Sequence, residues 1–419
     1  MKYADKHIAN ATTLIANYNG VIPLSNFLKQ YFAANKKYGS KDRKQIAHFC
    51  FLYYRVVNAI KEVSVEEIIK IGLFICENSL EAYASLFTQE WQNNWRDTET
   101  ERISFIQKIY QKFIVSNIFP LVNELSEGID NAAFCISHLT QPDLFLRIRP
   151  DKNATVLKKL DDEAISYFQL NNCLTLPNNT KIDTVLELDR EVVVQDYSSQ
   201  RIAEFLQLII ADSRVSNSVS LLTVWDCCAA SGGKSILAVD ILGNIILTVS
   251  DIRALIIQNL VARFARAGIV KYKSFVVDLT VNRQSRISNI HLPSISHLPL
   301  TNPQLPTTNY QLILCDAPCT GSGTWGRTPE QLYFFKQKNI EKYTNIQQKI
   351  IANTLPRLAA NGYFLYITCS VFKQENEIMV NYILQQNQSL QLVKQDILIG
   401  YTKKADTMFA ALFYLPKSS

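Results

Sequence analysis

None of the nine cysteines in this 419-residue chain is paired in a Cys-x-x-Cys motif, the spacing that a zinc site or a thiol redox motif usually requires. Nor is there an uninterrupted apolar stretch of about 18 residues, so no transmembrane helix is expected. The opening "MKYADKHIANATTLIANYNG" lacks the apolar centre of a secretory signal, which predicts a non-exported, cytoplasmic protein. Cysteines that lie inside apolar runs, such as Cys50, Cys76 and Cys135, read as small buried hydrophobes in a reducing compartment. Extreme charge is missing too: the net value of +6 tolerates an anionic partner without demanding one. Low-complexity tracts and internal repeats are absent. Hydrophobic residues at 47% and charged residues at 19% predict a chain that is folded nearly throughout.

Gly and Pro are scarce up to about residue 130, and "LSNFLKQYFAANKK", "DRKQIAHFCFLYYRVVNAIK" and "SVEEIIKIGLFICENSLEAYASLF" place apolar residues at steps of three and four. This predicts an all-helical N-terminal domain over 1–130. Lys36, Lys37, Lys41, Arg43 and Lys44 crowd one of its connections. Short mixed segments over 131–191, including "DLFLRIRP" and "TVLEL", predict a small α/β module in which Arg147 and Arg149 project from one face of a strand. From 192 to 419 apolar strands alternate with amphipathic helices: "LLTVWDC", "NIILTVSDI", "YKSFVVDL", "YQLILCDAP" and "GYFLYITCS" are the strands. Such alternation predicts a parallel, Rossmann-like sheet covered on both faces, with ligands at the carboxyl ends of its strands. The proline-containing segment 284–309 has no usable period and reads as an insertion loop. Its His291 and His297 have no Cys or acidic companions, and no metal site is expected.

"WDCCAASGGKS" at Trp225–Ser235 invites comparison with a phosphate loop, but the first glycine of G-x-x-x-x-G-K-[ST] would fall on Cys228. What remains is an aspartate ending a strand, a run of small residues, two glycines and Lys234. Three further strands end in Asp251, Asp278 and Asp316. Four carboxylates at one sheet edge would repel a triphosphate and suit a neutral or cationic nucleoside, of which S-adenosylmethionine is the common example. Cys319 and Cys369 follow two of the strands at that edge. Two thiols beside a carboxyl group suggest covalent chemistry on a base. Carbon 5 of cytosine is a poor nucleophile until a thiolate adds to carbon 6, and Asp316 is placed to assist by hydrogen-bonding ring nitrogen 3.

The ordered series "DCCAASGGK", "VSDI", "VVDL", "DAPCTGSG" and "YITCS", flanked by "VVVQDYSSQ" and "DTMFAALFYLPK", resembles the RNA cytosine-5 methyltransferases of the Sun/Fmu type. The resemblance covers about Val192 to Lys417. More weakly, the helical N-terminus resembles the NusB-like RNA-binding domain of the bacterial ribosomal-RNA members. The resemblance implies a class I methyltransferase fold in which Cys228, Ala229, Ala230, Ser231, Gly232, Gly233, Lys234, Asp251, Asp278 and Asp316 surround S-adenosylmethionine. It further implies Cys369 as nucleophile and Cys319 as the residue that helps release product. DNA cytosine methyltransferases use the cysteine of a Pro-Cys dipeptide, which makes Cys319 the rival. Departures from the family pattern are Ser231 for proline, Thr320 for serine, "DTMF" for Asp-Gly-Phe-Phe, and "RIRP" for Arg-x-Asn.

The function implied is methyl transfer to carbon 5 of a cytosine in RNA, with ribosomal RNA as partner and the Lys36–Lys44 cluster, Arg147 and Arg149 holding phosphates. No oligomer is expected. The alternatives are a methyltransferase acting on DNA or protein, and a non-catalytic RNA-binding factor in ribosome assembly.

Overall fold

The computed structural model describes residues 4–212, 221–281 and 309–417. The chain divides into two compact units. One comprises Met1–Pro142, Ser322–Gln337 and Tyr401–Lys404; the other comprises Asp143–Gly321, Lys338–Gly400 and Ala405–Ser419. The first unit therefore runs past the expected limit at residue 130 and takes in two segments from far along the sequence. The insertion expected at 284–309 lies outside the described residues apart from Asn309.

The first unit is helical because its apolar residues recur on one face. In helix Ala4–Asn17 the buried side chains include Ala4, Ile8, Ala11 and Ile15, a stripe with the period of an α-helix. Helix Val65–Cys76 starts where Ser64 Oγ accepts the Glu67 N–H at 3.2 Å, and Thr98 caps helix Glu99–Ile109 in the same way. Gly72 allows a close helix approach, since an added Cβ would stand 3.0 Å from the Leu52 carbonyl oxygen. Helix Ser40–Val56 contributes a buried Arg55, whose guanidinium donates to the carbonyls of His138 at 2.5 Å and Gly326 at 3.0 Å. Leu24 N–H donates to Glu330 Oε1 at 3.2 Å, so the late segment supplies acceptors that the N-terminal helices need. Lys36, Lys37, Lys41 and Lys44 are exposed.

In the second unit the strands β1 Leu144–Ile148, β2 Phe168–Leu170, β3 Cys173–Leu176 and β4 Val192–Val194 form a four-stranded antiparallel sheet in the order β2-β3-β1-β4. Because β4 pairs with β1, this module extends past the boundary expected at residue 191. Val156 and Leu160 of helix Asn153–Asp162 close its core against Leu146, Ile148 and Leu174.

The larger sheet has seven strands: β5 Leu222–Asp226, β6 Ile245–Asp251, β7 Tyr272–Val276, β8 Tyr310–Asp316, β9 Leu358–Thr368, β10 Gln391–Leu398 and β11 Met408–Leu415, in the order β10-β11-β9-β8-β5-β6-β7. The five strands expected from sequence run parallel. β10 and β11 are additions to the expected strands, and β11 runs antiparallel to both neighbours. Alternation along each strand feeds two cores. Leu312, Leu314, Leu365 and Ile367 meet Phe205, Ile236, Leu260 and Phe264 on one face. Ile313, Cys315, Phe364 and Tyr366 meet Ile350, Ile351, Met379 and Ile383 on the other. From β5 the chain proceeds to β6 and β7 on one side and returns to β8 on the other, so the carboxyl ends of β5 and β8 flank a topological switch point. Among the described residues no helix is long and apolar enough to cross a membrane.

Candidate active site

The loop after β5 is fixed from beneath. Asp226 is fully buried and accepts the Ser235 hydroxyl at 2.6 Å through Oδ2. Its carboxyl pKa is pushed up to about 7, chiefly by burial. This corrects the expectation of four carboxylates lining the edge, because Asp226 supports the loop from inside. Ala230 and Gly232 both have positive φ, +46° and +83°. A Cβ on Gly232 would stand 2.6 Å from Phe264 Cε1, so this turn requires glycine on two counts. Ser231, where the family has proline, is held by Arg263, whose Nη1 donates to Ser231 Oγ at 3.1 Å while its Nε donates to Asp189 Oδ1 at 2.6 Å.

Asp251 ends β6 and draws the loop toward it: the Ala230 N–H donates to its Oδ2 at 3.1 Å. Arg253 donates to both carboxylate oxygens from a guanidinium that is largely exposed. Asp278, beyond β7, accepts the N–H and hydroxyl of Thr280 through Oδ1 at 2.8 and 2.6 Å. Asp316 ends β8 and pairs with Lys234 Nζ at 2.6 Å. Burial works to lower the Lys234 pKa, but the Asp316 carboxylate outweighs it and holds the ammonium above its ordinary value. Cys228, Ala229, Ala230, Ser231, Gly232, Gly233 and Lys234 thus form one wall, with Asp251, Asp278 and Asp316 along the strand ends. Three carboxylates against the Lys234 ammonium and the Arg253 guanidinium leave the wall with a small negative balance, and it fits a cationic nucleoside such as S-adenosylmethionine.

The two candidate thiols meet. Cys319 Sγ and Cys369 Sγ are 3.2 Å apart, both partly exposed. The hydrogen bond shared with Cys369, and then burial, push the Cys319 thiol well up. Their flanks converge as well. The Thr320 N–H donates to Glu375 Oε1 at 3.0 Å and its hydroxyl to Oε2 at 2.5 Å. The Ser370 hydroxyl donates to the same Oε2 at 2.5 Å. Sequence reasoning missed Glu375, although the acidic-polar step "QENE" before an apolar helix is a visible signal. The two flanking motifs also join: Ser198 Oγ donates to the Asp406 carbonyl at 2.7 Å, and the Asp406 N–H to Asp196 Oδ2 at 3.1 Å.

Arg147 and Arg149 do not serve as expected. Both reach buried Asp240, Arg147 Nη1 to Oδ2 at 2.5 Å and Arg149 Nη2 to Oδ1 at 2.6 Å. Arg149 also donates to the carbonyls of Asp189 and Ala267. Their side chains are 6% and 12% exposed, so they hold structure and are not offered to phosphates. Cys227 and Cys315 lie in the core beneath the site, and burial first of all raises the Cys227 thiol. Among the described residues no group of three or more His, Cys, Asp or Glu could hold a metal ion.

Residues 217–418 match the family model described as 16S rRNA methyltransferase RsmB/F. The chain is 22% identical over 260 residues to ribosomal RNA small subunit methyltransferase B of Erwinia tasmaniensis, covering 61% of this chain and 54% of that one. It is 26% identical over 267 residues to the probable methyltransferase B of Synechocystis, covering 62% and 53%. The chain thus spans about half the length of these curated relatives. A solved structure named PH0851 superimposes with a TM-score of 0.64 at 16% identity over 98% of both chains, a likeness of fold. With this strand order and motif series, residues 217–418 carry the match to the RsmB/F methyltransferase family, the Sun/Fmu type, on a Rossmann-like class I fold.

Proposed function

We propose that this chain transfers a methyl group from S-adenosylmethionine to carbon 5 of a cytosine in RNA, with ribosomal RNA as its substrate class and the cytoplasm as its place of action. The carrying observation is the 3.2 Å approach of Cys319 and Cys369 at the sheet edge where Asp316 and Lys234 pair. When bound, S-adenosylmethionine supplies an electrophilic methyl group on a cationic sulfur. Asp251, Asp278 and the loop Cys228–Lys234 would hold it.

The target base leaves its stack to enter such an edge. Cys369 adds as thiolate to carbon 6, forming an S–C6 bond, opening the C5–C6 double bond and making carbon 5 nucleophilic. As the thiolate adds, nitrogen 3 takes up a proton from solvent, and Asp316, oriented by Lys234, accepts the hydrogen bond from that N3–H and favours the addition. Once carbon 5 carries the methyl group, water takes its proton, the C5–H electron pair restores the double bond, and the S–C6 bond breaks with its pair returning to Cys369 as thiolate. Cys319 is held as a thiol beside the departing sulfur and donates a hydrogen bond to it. The exposed lysines at 36, 37, 41 and 44 are suited to phosphate contact.

Trapping on RNA that carries 5-fluorocytosine tests these roles, since fluorine at carbon 5 blocks release. Wild type and Cys319→Ala are expected to give a covalent RNA adduct and Cys369→Ala none; the reverse pattern overturns the assignment. Bisulfite sequencing of total RNA, with and without the gene, reads the target as one lost signal, and unchanged signals reject the RNA reading.

A further inference from the structure

Each candidate cysteine is followed by a hydroxyl residue, Thr320 after Cys319 and Ser370 after Cys369, and both hydroxyls end on one carboxylate. Glu375 is fully buried. Its Oε1 accepts the Thr320 N–H and Gln347 Nε2, each at 3.0 Å, and its Oε2 accepts the Thr320 and Ser370 hydroxyls at 2.5 Å. Two oxygens with four donors leave this carboxylate saturated, and it has none to spare for a substrate. Gln347 Nε2 also donates to the carbonyl of Pro318, on the other side of Cys319, at 3.1 Å. The next residue, Asn376, does the same for the second cysteine: its Oδ1 accepts the Thr368 hydroxyl at 2.6 Å and its Nδ2 donates to the Ser370 carbonyl at 2.9 Å. The Glu375 carbonyl accepts the Tyr366 hydroxyl at 2.8 Å, which ties the clasp to β9. The peptides before and after both sulfurs are therefore fastened to this carboxylate, to its partner Gln347 and to the neighbouring Asn376. The hydroxyls of Thr320 and Ser370 stand 3.3 Å apart, close to the 3.2 Å between the sulfurs themselves.

We infer that Glu375 is the positioning residue that sets the distance between the two thiols and so couples their work on one base. This rests on the reading of Cys369 and Cys319 as the reacting pair. A carboxylate suits the task because all four partners donate. An amide in its place offers one acceptor oxygen and turns an N–H₂ toward donors. Low-dielectric surroundings make the mismatch costly, and a shift of about 1 Å in a reacting group can lower a rate by about 100-fold.

The test measures the thiol gap and turnover separately. In the first arm, substrate-free protein is treated with diamide, which takes up the two electrons and two protons released when the two thiols join as a disulfide, and mass spectrometry follows Cys319–Cys369 linkage. Wild type is expected to link readily and Glu375→Gln about tenfold more slowly or not at all. In the second arm, Glu375→Gln is expected to lower kcat by about 10- to 100-fold with KM for RNA unchanged, counted per S-adenosylmethionine-binding site so that unfolded protein does not enter. Thr320→Ser keeps the hydroxyl and is expected to retain both properties, while Thr320→Val loses them in part and serves if Glu375→Gln does not fold. Equal linkage rates in wild type and Glu375→Gln overturn the inference. So does a rise in KM with kcat unaltered. If wild type methylates no RNA, the proposed function fails while the linkage rates still decide whether Glu375 sets the gap.

Discussion

Two aspartates of the second unit, Asp316 and Asp240, each sit in an ion cluster, and the clusters differ in what they leave over. Asp240 is 4% exposed at its side chain and both its oxygens are taken by the arginines of β1 and the residue just after it. Asp316 is 26% exposed and pairs with the single ammonium of Lys234 through Oδ2. A saturated carboxylate among arginines fastens elements together; one with an oxygen to spare at a strand end can meet a ligand. The difference also explains why the pattern of two arginines two positions apart points toward phosphates when read alone. Their partner lies about ninety positions along the chain, beyond any periodic signal.

The largest effect is expected at Asp240. Asp240→Ala strands two buried guanidinium groups, so a loss of about 3–5 kcal/mol is expected, read as a lowered midpoint in urea with the fold otherwise intact; a shift no larger than that of a surface substitution would place the arginines back among the candidates for RNA contact. Asp316→Asn sharpens the contrast from the other side. The amide oxygen can still accept from Lys234 but no longer offsets its charge, so a loss of stability smaller than that at Asp240 is expected, while kcat falls by about 100-fold, equivalent to about 2.7 kcal/mol in the barrier; steady-state methyl transfer together with thermal melting separates the two effects. The smallest change is expected from the lysines at 36, 37, 41 and 44. Replacing each by alanine should weaken RNA binding evenly across sequences and reduce the slope of log K against log salt by about 0.7 for every phosphate that is no longer neutralised, as filter binding across a salt series would record.

The candidate site is legible in the sequence as local punctuation. Asp251 and Asp316 end apolar strands, Gly232 and Gly233 stand at a strand-to-helix turn, and Cys319 and Cys369 follow such strands within a few positions. Each signal is written in adjacent letters. Depth is not written that way. Asp226 ends its strand like the other aspartates but is buried, because Ser235 in the following helix closes over it. Strands β10 and β11 escaped as well. β11 is apolar on both faces, "MFAALFYL", and such a run does not distinguish a buried strand from a buried helix until its partners β9 and β10 are known. Glu375 was passed over because an acidic and an amide residue before an apolar helix are ordinary helix-start residues, and only the fold brings Thr320 to it across 55 positions.

The first unit draws on Ser322–Gln337, a segment that begins three residues after Cys319. Arg55 and Leu24 find acceptors there in Gly326 and Glu330. A gene cut once after residue 142 would yield an amino-terminal fragment without those acceptors and a carboxyl-terminal fragment carrying a segment that has lost its packing. The two units are thus interleaved in the reading frame: neither can be lifted out, exchanged or acquired by a single splice.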